Sequence, residues 1–413
     1  MSGLRFEYIT LFYDLKRRSR RLAIKLSDRV QRVKPSPTLA VTAKAAELKA
    51  TGKDVIGLGA GEPDFDTPQH IKDAAIGAIN AGMTKYTAVD GTASLKSAVI
   101  NKFKRDNGLE YVAEQVLVSC GGKQSFYNLA QALLNEGDEV IIPAPYWVSY
   151  PDMVLLADAT PVIIDTDIQQ NFKVTPAQLE AAITPKTRLF VINSPSNPSG
   201  MAYSSKELKA LATVLAKYPD VLIATDDMYE HILWSEESFH NIVMTNPELY
   251  DRTIVLNGVS KAYSMTGWRI GYCAGPAKLI KAMKKIQSQS TSNPTSISQF
   301  AAEAALNGSQ SCVAEMLKAF KQRHDMVVKS LNEIEGVHCI SGDGTFYTFA
   351  DFTGFLKRYN NIQNDVELAE MILEKTGVAL VPGSAFGNEG YMRLSFATSE
   401  DNLTEAIKRI ASL

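Results

Sequence analysis

Cysteine is scarce in this sequence: Cys120, Cys273, Cys312 and Cys339 are the four among 413 residues. They are scattered, with no C-x-x-C pair, so neither a disulfide framework nor a zinc site is expected, and a reducing, cytoplasmic compartment is. The five histidines (His70, His231, His240, His324, His338) show no close ligand pair, and no metal is expected. Excess positive charge is also missing: 43 Lys+Arg stand against 45 Asp+Glu, for a net charge of −2. That argues against a nucleic-acid partner, which needs a basic face. No apolar run approaches the roughly 20 residues that cross a bilayer, so no membrane span is expected. There is no internal repeat and no low-complexity tract.

What is present is ordinary for a soluble enzyme, with 45% hydrophobic and 21% charged residues. A chain of this length exceeds one core, which predicts two domains of unequal size. Residues 1–25 read as a poorly ordered extension or an upstream start to the reading frame. Glu7 and Asp14 interrupt the apolar stretch there, and the Arg/Lys cluster follows it rather than leading it. A targeting or membrane-surface role for this basic stretch is the second reading. Residues 26–72 are expected to join the small domain, 73–307 to form a large cofactor-binding domain, and 308–413 a smaller α+β domain.

A helix is predicted over Thr38–Ala50, stopped at Gly52. Short Val/Ile/Leu-rich runs recur at Gln115–Cys120, Glu139–Pro143, Thr160–Asp165, Arg188–Asn193, Val221–Thr225, Thr253–Asn257 and Trp268–Ala274. They have the look of strands covered on both faces, with helices such as Gln124–Leu134 and Ser205–Lys217 between them. After Gly275 come long helical stretches at Ala277–Gln289, Thr295–Leu306 and Cys312–Glu333, then short strands and a last helix at Leu403–Leu413. The fold class expected is α/β: a mostly parallel seven-stranded sheet covered by helices, plus the smaller α+β domain.

Open α/β sheets bind ligands beyond the carboxyl ends of their strands. After Gln115–Cys120 comes Gly121-Gly122-Lys123-Gln124 and a helix start, a backbone anion site or a simple turn. After Arg188–Asn193, two prolines flank Asn197, a group that can donate and accept. After Val221–Thr225, Asp226 could hold a protonated ring nitrogen and Tyr229 reach an oxygen on the same ring, although an acidic helix start also explains the Asp. After Thr253–Asn257, Lys261 sits in a glycine-rich, apolar setting, with Arg269 eight positions on. A Schiff-base lysine needs such a low-dielectric setting, and an arginine fork can grip a phosphate.

These residues carry a resemblance. The chain from Leu26 to Leu413 resembles the class I aminotransferases of the fold-type-I pyridoxal-phosphate superfamily, most of all the bacterial aspartate aminotransferases. The matching segments, in order, are Ala60–Pro68, Thr84–Gly91, Gly121–Gln124, Pro145–Pro151, Asn193–Gly200, Ser260–Tyr272 and Met392–Ser399. The resemblance implies pyridoxal 5'-phosphate as cofactor, held on Lys261, which also shuttles the α-proton. It implies that Asp226 keeps the pyridine nitrogen protonated, that Tyr229 and Asn197 bond the phenolic oxygen, and that Trp147 stacks on the ring. Gly122, Lys123, Gln124 and Arg269 would surround the phosphate, with Tyr86 arriving from a second subunit of a homodimer. Arg393 would take the substrate α-carboxylate, helped by Gly61 and Asn197. One departure is Gly258, where many relatives carry a phosphate-binding serine; here Ser260 directly precedes the lysine.

The activity implied is ping-pong transfer of an amino group from L-aspartate to 2-oxoglutarate, with amino acids and 2-oxo acids as small-molecule partners. Lys123, assisted by Thr38, is the candidate for the second substrate carboxylate. Aromatic or prephenate transamination is the alternative within the family. A non-enzymatic regulatory module on this fold is the alternative outside it, and would be expected to lack Lys261 or Arg393. The glycines of Gly57-Leu58-Gly59-Ala60-Gly61 mimic a dinucleotide loop, but Glu62-Pro63-Asp64 follows where a helix should start.

Overall fold

The structure, a computed structural model, describes residues 24–413 apart from Ser36 and the side chains of residues 37–39 and 42. The extension expected over 1–25 therefore lies outside it as far as residue 23, and so does the side chain of Thr38. The strands are β1 (Ile56–Gly57), β2 (Val116–Ser119), β3 (Glu139–Pro143), β4 (Thr160–Ile164), β5 (Thr187–Asn193), β6 (Leu222–Asp226), β7 (Thr253–Gly258), β8 (Gly271–Ala274), β9 (Tyr347–Asp351), β10 (Val378–Ala379), β11 (Val381–Pro382) and β12 (Tyr391–Ser395). Seven form one sheet in the order β2-β8-β7-β6-β5-β3-β4. β8 alone runs against its two neighbours, so the other six point their carboxyl ends to the same edge.

Helices cover both faces of this sheet. Helices Gly122–Leu133, Ser149–Leu156 and Ala277–Ser288 pack Phe126, Leu129, Met153 and Met283 on one side. Helices Ala93–Asn107, Ser205–Leu215 and Ser296–Asn307 pack Leu95, Phe103, Leu211 and Ala301 on the other. With apolar layers on both sides, β2, β7 and β8 are buried at every position, which is why their sequences read as apolar runs rather than alternating ones. Helix starts are set by local chemistry. Ser204, for example, accepts from the Glu207 N–H while the Glu207 carboxylate reaches back to the Ser204 N–H.

A separate antiparallel sheet, β11-β12-β9, packs with helices Ser311–Leu331, Asp365–Thr376 and Glu400–Ala411. Its core of Phe320, Leu368, Ile372, Leu394 and Leu403 also takes in Ile56 and Leu58, because β1 pairs with β10. The glycine run at 57–61 thus leaves a two-residue strand and opens no helix; the next helix starts at Gln69.

Six of the seven expected sheet strands lie within one residue of their sequence bounds. The seventh needs correction. Thr266–Trp268 is a single 3₁₀ turn, Arg269 has φ +56°, and the strand begins only at Gly271. The apolar look of the segment hides a left-handed residue that ends pairing and turns the Arg269 side chain back toward Gly121.

Candidate active site

The carboxyl ends of β2, β3, β5, β6 and β7 open onto one cavity of about 490 Å³. Lys123, Trp147, Asn197, Asp226, Tyr229 and Lys261 come to it from those ends, and Gly61, Tyr347 and Arg393 face them from the other side.

Lys261 follows β7 and donates from its amine to the Gly61 carbonyl. Burial, and secondarily the charge of Arg393, lowers its pKa to about 8. A sizeable fraction of this amine is therefore uncharged just above neutral pH, as a carbonyl-capturing amine must be. Asp226 ends β6. It accepts from the Tyr150 hydroxyl and from the Met228 N–H at 3.2 Å. Burial raises its pKa, and those two bonds hold it back. A cation placed against it would restore the charged form.

The loop after β5 is tied to β6 through Asn193, which accepts from the Asn197 N–H at 2.8 Å and donates to the Asp226 carbonyl at 2.8 Å. That tie presents the Asn197 side chain to Arg393, whose Nη1 donates to Asn197 Oδ1 at 2.9 Å and whose Nη2 donates to the Gly59 carbonyl at 2.7 Å. Arg393 is 2% exposed, its Nε is without a partner, and no carboxylate pairs with it among the described residues. Its guanidinium lies over the Tyr347 ring at 4.4 Å. A buried guanidinium held only by neutral oxygens is an incomplete ion pair, and a carboxylate ligand completes it.

At the β2 end, Gly121 has φ +91°, and the 12-residue helix starts at Gly122. A Cβ on Gly121 would stand 2.2 Å from Arg269 Nη2, so only glycine admits the guanidinium here. Arg269 is fixed by bonds to the Thr266 carbonyl at 2.7 Å and the Cys120 carbonyl at 3.3 Å. Free helix-start N–H groups beside a fixed guanidinium suit a phosphate. Gly258 is packed tightly: an added Cβ would meet Gly271 Cα at 3.1 Å and the Ile270 carbonyl at 3.2 Å. Ser260, not residue 258, is the serine of this loop that lines the cavity. Lys123 stands over the Trp147 ring at 5.1 Å, and burial with the nearby Arg269 charge lowers its pKa.

Of the residues named from the sequence, Gly61, Gly122, Lys123, Trp147, Asn197, Asp226, Tyr229, Lys261, Arg269 and Arg393 all line this cavity. Gln124 does not. Its side chain accepts from the Cys120 N–H at 2.6 Å and donates to Thr291, bracing the turn from behind. Tyr86 is 92% exposed and stands outside the cavity of its own chain. Sequence reasoning missed Tyr150, Asn193 and Tyr347. Tyr150 and Asn193 lie inside segments that carried the resemblance, so their signal was available; Tyr347 stood in no such segment. It also missed a buried cluster behind the site. Lys102 pairs there with Glu230, which accepts from Asn107 at 2.8 Å and Asn257 at 2.7 Å, with Asp106 and His231 alongside.

Fold and site together suit an enzyme that would capture a phosphorylated carbonyl compound on a lysine and bind a carboxylate beside it. Comparison with known proteins agrees. Residues 53–410 match the family described as aminotransferase class I and II. The chain is 66% identical over 395 residues to the aspartate/prephenate aminotransferase of Nitrosomonas europaea, covering 94% of this chain and 100% of that one. The aspartate aminotransferase structure from Rhizobium meliloti superposes with a TM-score of 0.91 at 49% identity, covering 94% and 98% of the two chains. That of Thermus thermophilus with maleate gives 0.88 at 42%, covering 94% and 99%. The chain belongs to the class I and II aminotransferases and is a pyridoxal-phosphate-dependent enzyme. The residues present fit that cofactor: an amine able to lose its charge, a carboxylate in want of a cation, and a helix start beside a guanidinium that a Cβ on Gly121 would displace.

Proposed function

We propose that the enzyme moves the amino group of L-aspartate to 2-oxoglutarate, giving oxaloacetate and L-glutamate in two ping-pong half-reactions. Four cations line the cavity, and with Lys261 and Arg269 given to the cofactor, the observation that carries this reading is the remaining two: Arg393, without a carboxylate partner among the described residues, and Lys123 over Trp147. Two cations suit a substrate with two carboxylates, and the maleate named with the Thermus thermophilus structure is a four-carbon dicarboxylate.

Bound pyridoxal phosphate supplies a carbonyl that captures amines and a ring that accepts the electrons left when the α-carbon loses its proton. This chain's residues do the rest. Lys261 takes the proton from the substrate α-carbon and returns it. Asp226 holds the ring nitrogen protonated, Tyr229 and Asn197 bond the phenolic oxygen, and Trp147 covers the ring face. Gly122, Lys123, Arg269 and the hydroxyl of Ser260 hold the phosphate, while Gln124 braces their turn. Arg393, with Asn197 and Gly61, orients the α-carboxylate.

The test is a panel of amino donors against 2-oxoglutarate. Lys123→Ala should lower kcat/KM for aspartate by more than for alanine and phenylalanine, whose loss reports only the weakened phosphate contact. An unchanged preference for aspartate sinks the assignment. Prephenate as amino acceptor is the second reading, favoured by the names of the relatives from Nitrosomonas europaea and Cereibacter sphaeroides. Adding prephenate to the acceptor panel decides it.

The same reading takes the enzyme as a homodimer. Ile76, Ile79, Met83 and Tyr86 are exposed on and after helix Gln69–Asn80. An apolar groove of about 380 Å³ lies beside them, lined by Ala74, Ala78, Met83 and Phe300. The Asp90 carbonyl accepts from the Val118 N–H, so the loop carrying Tyr86 returns to the strand that leads into the phosphate cradle. A second copy of this chain is the occupant proposed for that face. A cytoplasmic location is proposed with it, from the four unpaired cysteines.

A further inference from the structure

We propose that Tyr347 is a positioning residue: its hydroxyl donates to the Tyr229 hydroxyl and so strengthens the bond that Tyr229 makes to the cofactor's phenolic oxygen. The inference rests on the role given to Tyr229 above and goes beyond it, to a residue of the other sheet, 118 positions further along the chain.

The two phenolic oxygens are 3.0 Å apart. Tyr229 is 4% exposed and Tyr347 1%. Among the described residues neither hydroxyl has another hydrogen-bond partner. Each phenol carries one proton, so within the pair one donates, and the other keeps its own O–H for a third group. The neighbours decide which one donates. The Arg393 guanidinium lies 4.4 Å above the Tyr347 ring, and that cation favours loss of the Tyr347 proton. The same cation also favours loss of the Tyr229 proton, but its guanidinium stacks on the Tyr347 ring and not on that of Tyr229. Tyr347 is therefore the more acidic phenol and the donor. Tyr229 accepts, and its own O–H is left for the cavity that it lines.

Two features show that this geometry is enforced. Tyr347 opens β9, where Ser395 of β12 pairs with it. A Cβ on Gly61 would also lie 3.0 Å from the Tyr347 hydroxyl, so a side chain there would crowd that oxygen. Hydrogen bonds in a chain polarise one another, each strengthening the next in a low dielectric. A phenol that accepts from Tyr347 is a stronger donor to the ring oxygen. That donation draws electron density from the oxygen and from the imine nitrogen beside it, which lowers the pH at which the bound cofactor's visible absorption changes.

The experiment uses the holoenzyme and reads the pH midpoint of that absorption change. Tyr347→Phe keeps the ring beneath Arg393 and removes only the hydroxyl. Its midpoint should rise by about half a pH unit, with a fall in kcat and an unaltered KM for the amino donor. Tyr229→Phe should raise the midpoint further, and Tyr347→Phe added to it should change nothing more. A midpoint that stays put in the single variant overturns the inference, as does an equal increment with and without Tyr229. A melting temperature near that of the parent excludes loss of fold as the cause. If the parent holoenzyme shows no pH-dependent band at all, the role of Tyr229 fails, and this inference falls with it. If the band is there and only the Tyr347 increment is missing, Tyr229 stands alone.

Discussion

Arg393 is the residue whose surroundings state its purpose most directly. A buried guanidinium with neutral partners destabilises the empty protein and is compensated when an anion arrives. Arg393→Lys keeps the charge but loses the planar fork. It should lose about 1.5–3 kcal/mol of transition-state binding, the range for bonds to charged groups, or roughly ten- to hundredfold in kcat/KM. Steady-state kinetics with aspartate check this, and a drop of less than twofold would remove Arg393 from the carboxylate site. Lys261 gives a second prediction at this scale. Its amine captures a carbonyl only when uncharged, and burial brings its pKa down to about 8. The rate at which the apoprotein takes up pyridoxal phosphate should therefore climb with pH through a midpoint near 8, where an exposed lysine would climb near 10.5. A rate still rising steeply at pH 10 contradicts the depressed value. Asp226 adds the opposite sign: burial raises its pKa, so on acidification it loses charge before an exposed aspartate would.

Secondary-structure elements supply the next level of control, through the turns that join them. Gly121 admits the Arg269 guanidinium because it has no side chain and because φ +91° suits glycine. Gly121→Ala should cost about 1–3 kcal/mol in backbone strain alone and should displace Arg269. Both a lower apoprotein melting temperature and weaker cofactor binding in an absorbance titration are expected; unchanged affinity would mean that the cradle does not hold the phosphate. Elements of this kind were the most legible from sequence. Parallel strands buried on both faces leave runs of Val, Ile and Leu, and their ends mark the loops that matter. The Trp268–Ala274 expectation failed because hydrophobicity cannot reveal that Arg269 takes a left-handed conformation to reach another loop. The resemblance placed Gln124 at the phosphate, whereas the helix start carries its side chain back to Cys120 and Thr291. Tyr347 had no signal in the chain at all. Its meaning comes from Tyr229, 118 positions away, and is created only when the two sheets meet.

The whole molecule brings together parts that no stretch of sequence holds. The carboxylate clamp combines Gly59 near one end of the chain, Asn197 in the middle and Arg393 near the other end. A second subunit would contribute Tyr86, and mixing tests this. Lys261→Ala and Tyr86→Ala chains, refolded together, should regain roughly a quarter of the normal sites, because half of random pairs are mixed and each mixed pair has one intact site. Activity no greater than the sum of the separate variants would rule out a shared site. Lys261 and Arg269 both sit in the connection between β7 and β8, the one strand that runs against the rest. In the proposed enzyme, covalent tether and anion grip would thus be a single mechanical part. A circular permutant opened between them could keep every strand in place and still release its vitamin, whereas new termini in the surface turn at Tyr218–Asp220 would leave that part whole.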